Sequence, residues 1–355
     1  MRLMTPSLTL DTEISLLNRG FEQSKQILLA SADLPKSTSE RFDEQEMLEA
    51  TLGWLTVGNY SLARSGLTSL INKPAFGWAC GAYVAWTGDD YILTEMDDPI
   101  KAWKRQLKKD ASFSSVYRNL GSRALAKAYH SRRDTRSAQC FEKESITEDI
   151  KCSYNSSRNQ GIKPQIDTSL IPQNPDQLAI TLGLRSQQET KLGPDQLYST
   201  WTQLNQLCGD TATADEAISA KNLVLASLVT SCFLIGLVGT QPDVASGRIT
   251  LNPNIPRHLS YFKLQNFKMG PDAIDLIYQR KEGTHTFVME QNRGRVPLNV
   301  VLKPNLYGDK INCSRIDGER ANLEWDTNSK DRRVVTQAQL YLDEPRTVTI
   351  VTETT

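Results

Sequence analysis

The spacing of apolar residues along this chain changes once, within the stretch from Asn222 to Pro256. Before it, apolar residues recur every three or four positions, as in the segment from Leu8 to Ala30, and short polar turns separate the segments. After Arg248 they recur every second position, in about eight short segments bounded by turn-forming residues. The pattern predicts a two-domain α+β protein, with a helical domain over residues 1–245 and an antiparallel β-sandwich over residues 246–355.

The helical half consists of helix, short turn and helix in succession. This alternation is typical of stacked antiparallel hairpins, which close into an α/α toroid or extend into a solenoid. The sequence shows no repeat of fixed period, which disfavours the solenoid. The sequence therefore predicts an α/α toroid followed by a β-sandwich.

The segment from Leu223 to Val238 carries no charged residue and is almost long enough to span a membrane. Serine, threonine and glycine residues interrupt it, and no basic cluster follows it. A helix that is apolar on all sides is also what the centre of a large helical domain requires. We therefore predict a buried core helix, with a membrane span as the alternative.

The charge balance bears on possible partners. The 355 residues include 41 of lysine or arginine and 41 of aspartate or glutamate, so the net charge is near zero. A protein that binds nucleic acid through general electrostatics needs a basic face. We therefore expect no nucleic-acid partner and no membrane partner.

The cysteines and the N-terminus indicate a compartment. The six cysteines are scattered without a CxxC pair, and only three histidines could assist them in binding a metal. The first residues contain no apolar segment of the kind found in signal peptides. We therefore expect a cytoplasmic protein with reduced thiols, no metal and no cofactor.

Motifs that define a reaction by themselves are missing. The sequence contains neither the G-x-S-x-G of a nucleophile elbow nor a glycine-rich phosphate loop after a strand. Composition and motifs alone therefore do not indicate a reaction.

An ordered set of segments between Ser227 and Pro304 does indicate a family. The segments read GLVGTQPDVASGRITLNPNIP, LQNFKMG and DAIDLIYQRK. In this order they resemble the C-terminal end of six-hairpin (α/α)6-barrel glycosidases of the glycogen-debranching (amylo-α-1,6-glucosidase-like), trehalase-like or rhamnosidase-like kind. WLTVGNYSLARSGL, FGWACGAYVAWTGDDYIL, VYRNLGSRALAKAY and IPQNPDQLAITLGL resemble earlier hairpins of the same enzymes.

The chain also departs from that pattern. The segment from Asn72 to Phe76 lacks the acidic residue that such hairpins often carry at this point. About ten helices are visible, whereas a complete barrel of this kind has twelve. The resemblance thus implies a shortened and divergent member, and both a complete and an incomplete six-hairpin barrel stay open.

Glycoside hydrolysis normally requires two carboxyl groups, one to protonate the leaving oxygen and one to activate water or attack the sugar. The resemblance implies Asp110 as the acid and Glu216 as the base, and Asp43, Trp78 and Asp176 as substrate-binding residues. Plainer interpretations stay open. Asp43 and Glu216 fit the first turn of a helix, Asp110 a surface position and Trp78 a helical core.

The hypothesis from the sequence is a glycoside hydrolase of carbohydrate metabolism that acts on an α-linked oligosaccharide or polysaccharide, by inversion. The alternative is a non-catalytic relative, that is, a pseudoenzyme, a glycan-binding protein or a fragment, which lacks the full pair of acids.

Overall fold

The computed structural model describes residues 7–31, 42–109, 115–144, 193–211, 220–328 and 332–353. The chain has an α+β fold in which helices come first and a largely antiparallel β part follows, as the sequence predicts. The helices are α1 (Ser15–Ala30), α2 (Glu44–Thr56), α3 (Tyr60–Ser69), α4 (Phe76–Thr87), α5 (Ile92–Glu95), α6 (Asp97–Lys109), α7 (Ser115–Ser131), α8 (Thr135–Glu144), α9 (Pro194–Thr211) and α10 (Ala220–Ser231).

The strands form three sheets. They are β1 (Thr9–Thr12), β2 (Thr240–Asp243), β3 (Arg248–Leu251), β4 (Tyr261–Met269), β5 (Asp272–Lys281), β6 (Thr284–Arg293), β7 (Asn299–Leu302), β8 (Asn305–Tyr307), β9 (Lys310–Ile316), β10 (Glu319–Arg320), β11 (Trp325–Asn328), β12 (Arg333–Thr336), β13 (Ala338–Tyr341) and β14 (Arg346–Glu353). The largest sheet has the order β1-β4-β5-β6-β14-β9-β10, and the smaller ones are β11-β12-β8 and β13-β7-β3-β2. Every named pair is antiparallel except β3 with β7.

Helices α2 and α10 run parallel to each other. The Ser227 hydroxyl donates a hydrogen bond to the Glu49 carbonyl (2.6 Å), and the hydroxyls of Thr56 and Thr230 lie 3.1 Å apart farther along both helices. The contacting positions advance in the same direction along both helices, from Glu49 to Thr56 and from Ser227 to Thr230. The N-termini of the two helices therefore lie at the same end.

The same relation holds for α4 and α7. A Cβ at Gly121 would lie 3.1 Å from the Trp78 amide nitrogen, and one at Gly81 would lie 2.4 Å from the Ala124 carbonyl carbon. The Ala75 N–H at the start of α4 donates to the Glu44 carboxylate at the start of α2 (2.6 Å). In the described part of the chain, α10, α2, α4 and α7 are therefore neighbours in that order with their N-termini together, and we call them the inner helices.

A second layer packs on the inner helices. Helix α3 crosses α2 beside Thr51 and Trp54, α8 stacks Phe141 on Tyr129 of α7, and α1 and α9 pack on α10. Two layers of helices of this kind are the arrangement expected of an α/α toroid. The range 145–192 between α8 and α9 lies outside the described residues, so the completeness of the ring stays a prediction.

The apolar segment from Leu223 to Val238 forms α10 and one further turn. It is buried almost throughout, which confirms the predicted core helix. Its last part, Cys232–Leu237, is a π-helix, in which the Val238 N–H reaches the Phe233 carbonyl (2.8 Å). Within the described ranges, no helix combines the length and the hydropathy that a membrane span needs.

The C-terminal ends of the inner helices meet the β part. The Gly270 N–H in the β4–β5 turn donates to the Trp86 carbonyl near the end of α4 (2.8 Å), and the Trp86 ring contacts Phe267 edge-on. Gly58, just after α2, lies against Lys268, and the π-helix after α10 leads directly into β2. The N-terminal ends of the inner helices therefore point away from the β part.

The structure differs from the predicted pattern at the N-terminus. Residues Leu8 to Thr12 were expected in the first helix, but Thr9–Thr12 forms a strand that pairs with β4. Its burial alternates, with Leu10 inside and Asp11 outside, because one face of the strand packs on the core. Since β1 and β2 both precede residue 246, the helical half contributes strands to the sheets, and the domain boundary stays a prediction.

Candidate functional site

The N-terminal ends of the inner helices form the end of the helical layer that lies opposite the β part, and we call this end the mouth. The ranges 32–41, 110–114 and 212–219 immediately precede α2, α7 and α10 in the chain. The chain therefore enters three of the inner helices at the mouth. The side of the inner helices that faces away from the outer helices is called the lumen.

The lumen face of α2 carries a buried carboxylate. Trp54 marks the outer face, because its indole N–H donates to the Leu28 carbonyl in α1 (3.0 Å). At about 100° per residue, the opposite face carries Gln45, Glu49, Leu52 and Thr56. Glu49 is only 3% exposed. Carboxylates are rarely buried to this extent, so Glu49 is the most unusual residue of the lumen.

Helix α4 presents an aromatic residue to the same space. Gly77 contacts α6, Gly81 contacts α7 and Tyr83 contacts α3. The remaining sector of the helix carries Trp78 and Ala82.

The lumen face of α7 carries two cations. Arg118 donates to the Leu107 carbonyl of α6 (2.8 Å) and Tyr129 stacks on α8, so the opposite face holds Leu120, Arg123 and Lys127. The Lys127 ammonium donates to the Pro242 carbonyl in β2 (3.0 Å), where the lumen meets the β part. Burial lowers the pKa of Lys127, and the charge of Asp243 partly opposes that shift.

Two of the five site residues predicted from the sequence lie in the described ranges. Asp43 is exposed at the N-cap of α2, where its carboxylate accepts from the Glu46 N–H (2.8 Å) and the Glu46 carboxylate accepts from the Asp43 N–H (2.9 Å). Trp78 is 6% exposed. Asp43 is therefore at the mouth with a capping role, while Trp78 faces the lumen with little free ring surface.

Asp110, Asp176 and Glu216 lie outside the described residues. Their assignment stays a prediction, as does the substrate-binding role of the other two.

A carboxylate does occupy the start of α4, although the segment from Asn72 to Phe76 contains none. Glu44 of α2 accepts the Ala75 N–H and so reaches the N-cap of α4 from a neighbouring helix. An acidic group at a helix N-terminus is stabilised by the helix dipole. The N-terminus of α4 is thus capped by a carboxylate from a neighbouring helix.

A pair of acids, Asp89 and Glu95, lies at the opposite end of α4. The Arg64 guanidinium pairs with Glu95 and with Asp89 (3.5 Å). Burial and the nearby Asp89 raise the pKa of Tyr83, which also contacts Arg64. Asp89 follows the left-handed Gly88 that ends α4. This cluster faces away from the mouth.

Metal and thiol chemistry find little support in the described ranges. They contain no group of three or more histidine, cysteine, aspartate or glutamate side chains that could hold a metal ion. Burial raises the pKa of Cys80 to about 12 and raises that of Cys232 as well, so neither thiol is activated.

The fold and this end of the inner helices define an α/α-layered protein with an appended β part. No known family profile matches the sequence, and no curated protein is similar to it. Among solved structures, native α-L-rhamnosidase from Aspergillus terreus is similar over 96% of this chain and 50% of that chain, with a TM-score of 0.42 and 12% identity. The chain thus spans about half the length of that structure. A similarity of this size assigns neither a family nor an activity.

Sequence reasoning missed Glu49 and Arg123. Glu49 lies inside the segment MLEATLGWLTV, which reads as an ordinary amphipathic helix. One signal was available in the sequence, because helical spacing places the charged Glu49 among residues that are expected to be buried. The direction in which the Glu49 side chain points depends on which helices pack around α2, and local spacing does not contain that information.

Proposed function

We propose that the protein is a carbohydrate-active hydrolase that cleaves an α-linked glycoside at the mouth of the inner helices. The observation that carries the proposal is Glu49, a carboxylate buried on the lumen face of α2, about 8 Å along the helix from its end at the mouth. Strongly buried ionisable groups concentrate at functional sites. The resemblance of the segments between Ser227 and Pro304 to six-hairpin glycosidases supplies the reaction class.

The proposed reaction uses two carboxyl groups. Asp110 protonates the glycosidic oxygen and Glu216 removes a proton from the attacking water, which inverts the anomeric carbon. The two residues belong to the segments that lead into α7 and α10, and those helices begin side by side with α2 and α4 at the mouth. Glu49 adds a third carboxylate deeper in the lumen.

The proposed substrate is an oligosaccharide or a polysaccharide. Asp43 and Asp176 are proposed to bind sugar hydroxyls, and Trp78 to stack on a sugar ring. Because Trp78 is 6% exposed, stacking on it requires the neighbouring side chains to move. A cytoplasmic location stays a prediction from the sequence.

A hydrolysis screen tests the proposal. Purified protein at high concentration is incubated with trehalose, malto- and isomalto-oligosaccharides and aryl α-rhamnosides, and NMR follows the anomer released. We expect turnover of at least one substrate with inversion. Asp110→Asn and Glu216→Gln should each lower kcat by about 10²–10⁴-fold, while Asp326→Asn, an exposed carboxylate of β11, should not change it. Absence of turnover on every substrate would contradict the proposed hydrolase activity.

The non-catalytic alternative is favoured by one observation, the absence of an acidic residue between Asn72 and Phe76. It predicts that the protein binds oligosaccharides without releasing product. Isothermal titration with the same substrates, run beside the hydrolysis screen, separates the two functions.

A further inference from the structure

A cavity of about 510 Å³ lies against one face of α6. Trp103 of this helix packs on Gly77 of α4 and on Gly121 of α7. At about 100° per residue, Lys101 and Arg105 are each about 200° around the helix from Trp103. Both cations border the cavity, so it lies on the side of α6 that points away from the inner helices. We call this side the outer face of α6, and it is separate from the lumen.

The charge of this cavity is unbalanced. Among the described residues, its lining consists of three cations and one carboxylate, namely Lys101, Lys104, Arg105 and Asp98, so its net formal charge is +2. Lys101 forms an ion pair with Asp97. Lys104 and Arg105 have no carboxylate partner in the described ranges. A cavity of this volume is within the usual range for small-molecule sites, and its charge favours an anion.

The cations of the outer face are held close together. Lys101 and Arg105 are four residues apart, a spacing at which like charges on a helix repel each other. The Lys104 ammonium lies 5.1 Å from the centre of the Phe141 ring of α8, and the Arg105 Nε–H donates to the Lys101 carbonyl (3.4 Å). These contacts position the cations before a ligand binds, and a bound anion would relieve their repulsion.

The functional groups favour a phosphate over other anions. The planar guanidinium of Arg105 offers two parallel N–H donors to phosphate oxygens, and the ammonium of Lys104 adds a point charge. A phosphate monoester carries about 1.5 to 2 negative charges at pH 7, which matches the net charge of the described lining. A single carboxylate would balance only half of it.

We propose that the cavity on the outer face of α6 binds a phosphorylated small molecule, whose phosphate is held by Lys104 and Arg105. The remainder of the ligand occupies the rest of the cavity. Asp98 borders the same space and opposes the binding of the phosphate. The site is separate from the lumen and does not rest on the proposed hydrolase activity.

Isothermal titration tests this proposal with inorganic phosphate, glucose 6-phosphate and AMP as probes and with glucose as the neutral control. We expect glucose 6-phosphate or AMP to bind at least about tenfold more tightly than glucose. The double variant Lys104→Gln/Arg105→Gln should abolish that difference, because it removes both cations that lack a carboxylate partner. The matched control Lys281→Gln/Arg320→Gln removes two exposed cations of the β part and should leave the difference unchanged.

A second variant should strengthen binding. Asp98→Asn removes the one carboxylate among the described lining residues and leaves three cations. We expect glucose 6-phosphate or AMP to bind about two- to fivefold more tightly to this variant, because the repulsion of the phosphate is lost. A variant that merely misfolds would not show this gain. High salt should weaken the binding, because the charges at this face are largely exposed.

The remaining outcomes decide between ligands. Tighter binding of glucose 6-phosphate or AMP than of inorganic phosphate supports a site that also contacts the organic part of the ligand. Binding of inorganic phosphate alone, no binding of any probe, or full binding by Lys104→Gln/Arg105→Gln overturns the proposal. Tighter binding of a ten-nucleotide DNA than of every small probe assigns the face to an extended polyanion and also overturns it. Glu49→Gln should leave phosphate binding unchanged, so this proposal and the hydrolase can fail separately.

Discussion

His285 connects the stability of the β part to pH through a single buried side chain. It is 1% exposed, and its Nδ1 lies 3.0 Å from the Tyr278 hydroxyl while its Nε2 lies 3.3 Å from the Thr352 hydroxyl. Burial lowers the pKa of His285 to about 4, and the charges of Arg280 and Arg333 add to the shift. The imidazole is therefore neutral in the folded protein at neutral pH.

We predict that the free energy of unfolding falls as the pH drops from about 6.5, the pKa of an unperturbed histidine, towards 4. In that window the unfolded chain binds the proton and the folded chain does not, so protonation favours unfolding by on the order of 3 kcal/mol. Urea unfolding of the wild type and of His285→Gln between pH 4 and 7 measures this contribution. The variant should show a shallower pH dependence, and His258→Gln, a change at an exposed histidine, should not. Parallel curves for His285→Gln and the wild type would contradict the assignment.

At the scale of elements, Gly239 fixes the turn between the π-helix and β2. Its φ of +67° lies in the left-handed region, and a Cβ there would lie 2.0 Å from the Asn252 carbonyl oxygen. Gly247 also has a positive φ (+65°), but a Cβ there would meet no atom within 4 Å. A comparison of substitutions at the two glycines therefore separates the cost of a left-handed backbone from the cost of steric overlap.

We predict that Gly247→Ala costs about 1 kcal/mol, which is the strain of an alanine in the left-handed region. Gly239→Ala should cost at least about 3 kcal/mol, since the backbone of β3 must also move. Thermal and urea unfolding of both variants measure the difference. Equal costs would show that the close approach of Gly239 to Asn252 is not a constraint.

The strand β1 attaches the N-terminal segment to the β part. Lys25 of α1 is 2% exposed, and its ammonium donates to the Leu8 carbonyl (2.8 Å) and pairs with Glu22 (2.6 Å). The register of β1 places Leu10 opposite Leu264 of β4. Lys25 therefore holds the start of β1 to the helical layer.

We predict that Lys25→Met loosens β1 by about 1–3 kcal/mol, because the Leu8 carbonyl loses its donor. Hydrogen exchange should become faster in residues 262–265 of β4, which pair with β1, and should stay unchanged in β6. The control is Lys143→Met, at an exposed position of α8. Unchanged exchange in β4 would show that β1 is held without Lys25.

The elements that local spacing predicts are those with a strong period. The segment from Leu223 to Val238 is uncharged throughout and is a buried helix, and Ile274, Leu276 and Tyr278 are buried at every second position of β5. Local spacing gives little sign of β9, because most of its residues are at least partly exposed and their burial hardly alternates. β1 was assigned to a helix, because its four residues precede a true helical period and its partner β4 lies far along the chain.

At the scale of the whole molecule, the direction of the inner helices locates the candidate site. Their C-terminal ends lie against the β part and their N-terminal ends are grouped at the mouth, as the contacts Thr56–Thr230 and Glu44–Ala75 show. The sequence predicted the layered helices and the β part that follows them, while its acids Asp110 and Glu216 lie outside the described residues and stay predictions. It did not predict which side chains face the lumen, because that depends on the packing of helices distant in sequence.

Turnover by two matched variants tests the central claim that the mouth and lumen are the functional end. Glu49→Gln removes the lumen carboxylate, and Glu95→Gln removes a carboxylate at the opposite end, beside Arg64. With circular dichroism confirming that both fold, kcat/KM is measured on the best glycoside from the screen. We predict a loss of at least about 10²-fold for Glu49→Gln and less than about twofold for Glu95→Gln. Full activity of Glu49→Gln, or a larger loss in Glu95→Gln, would contradict the account.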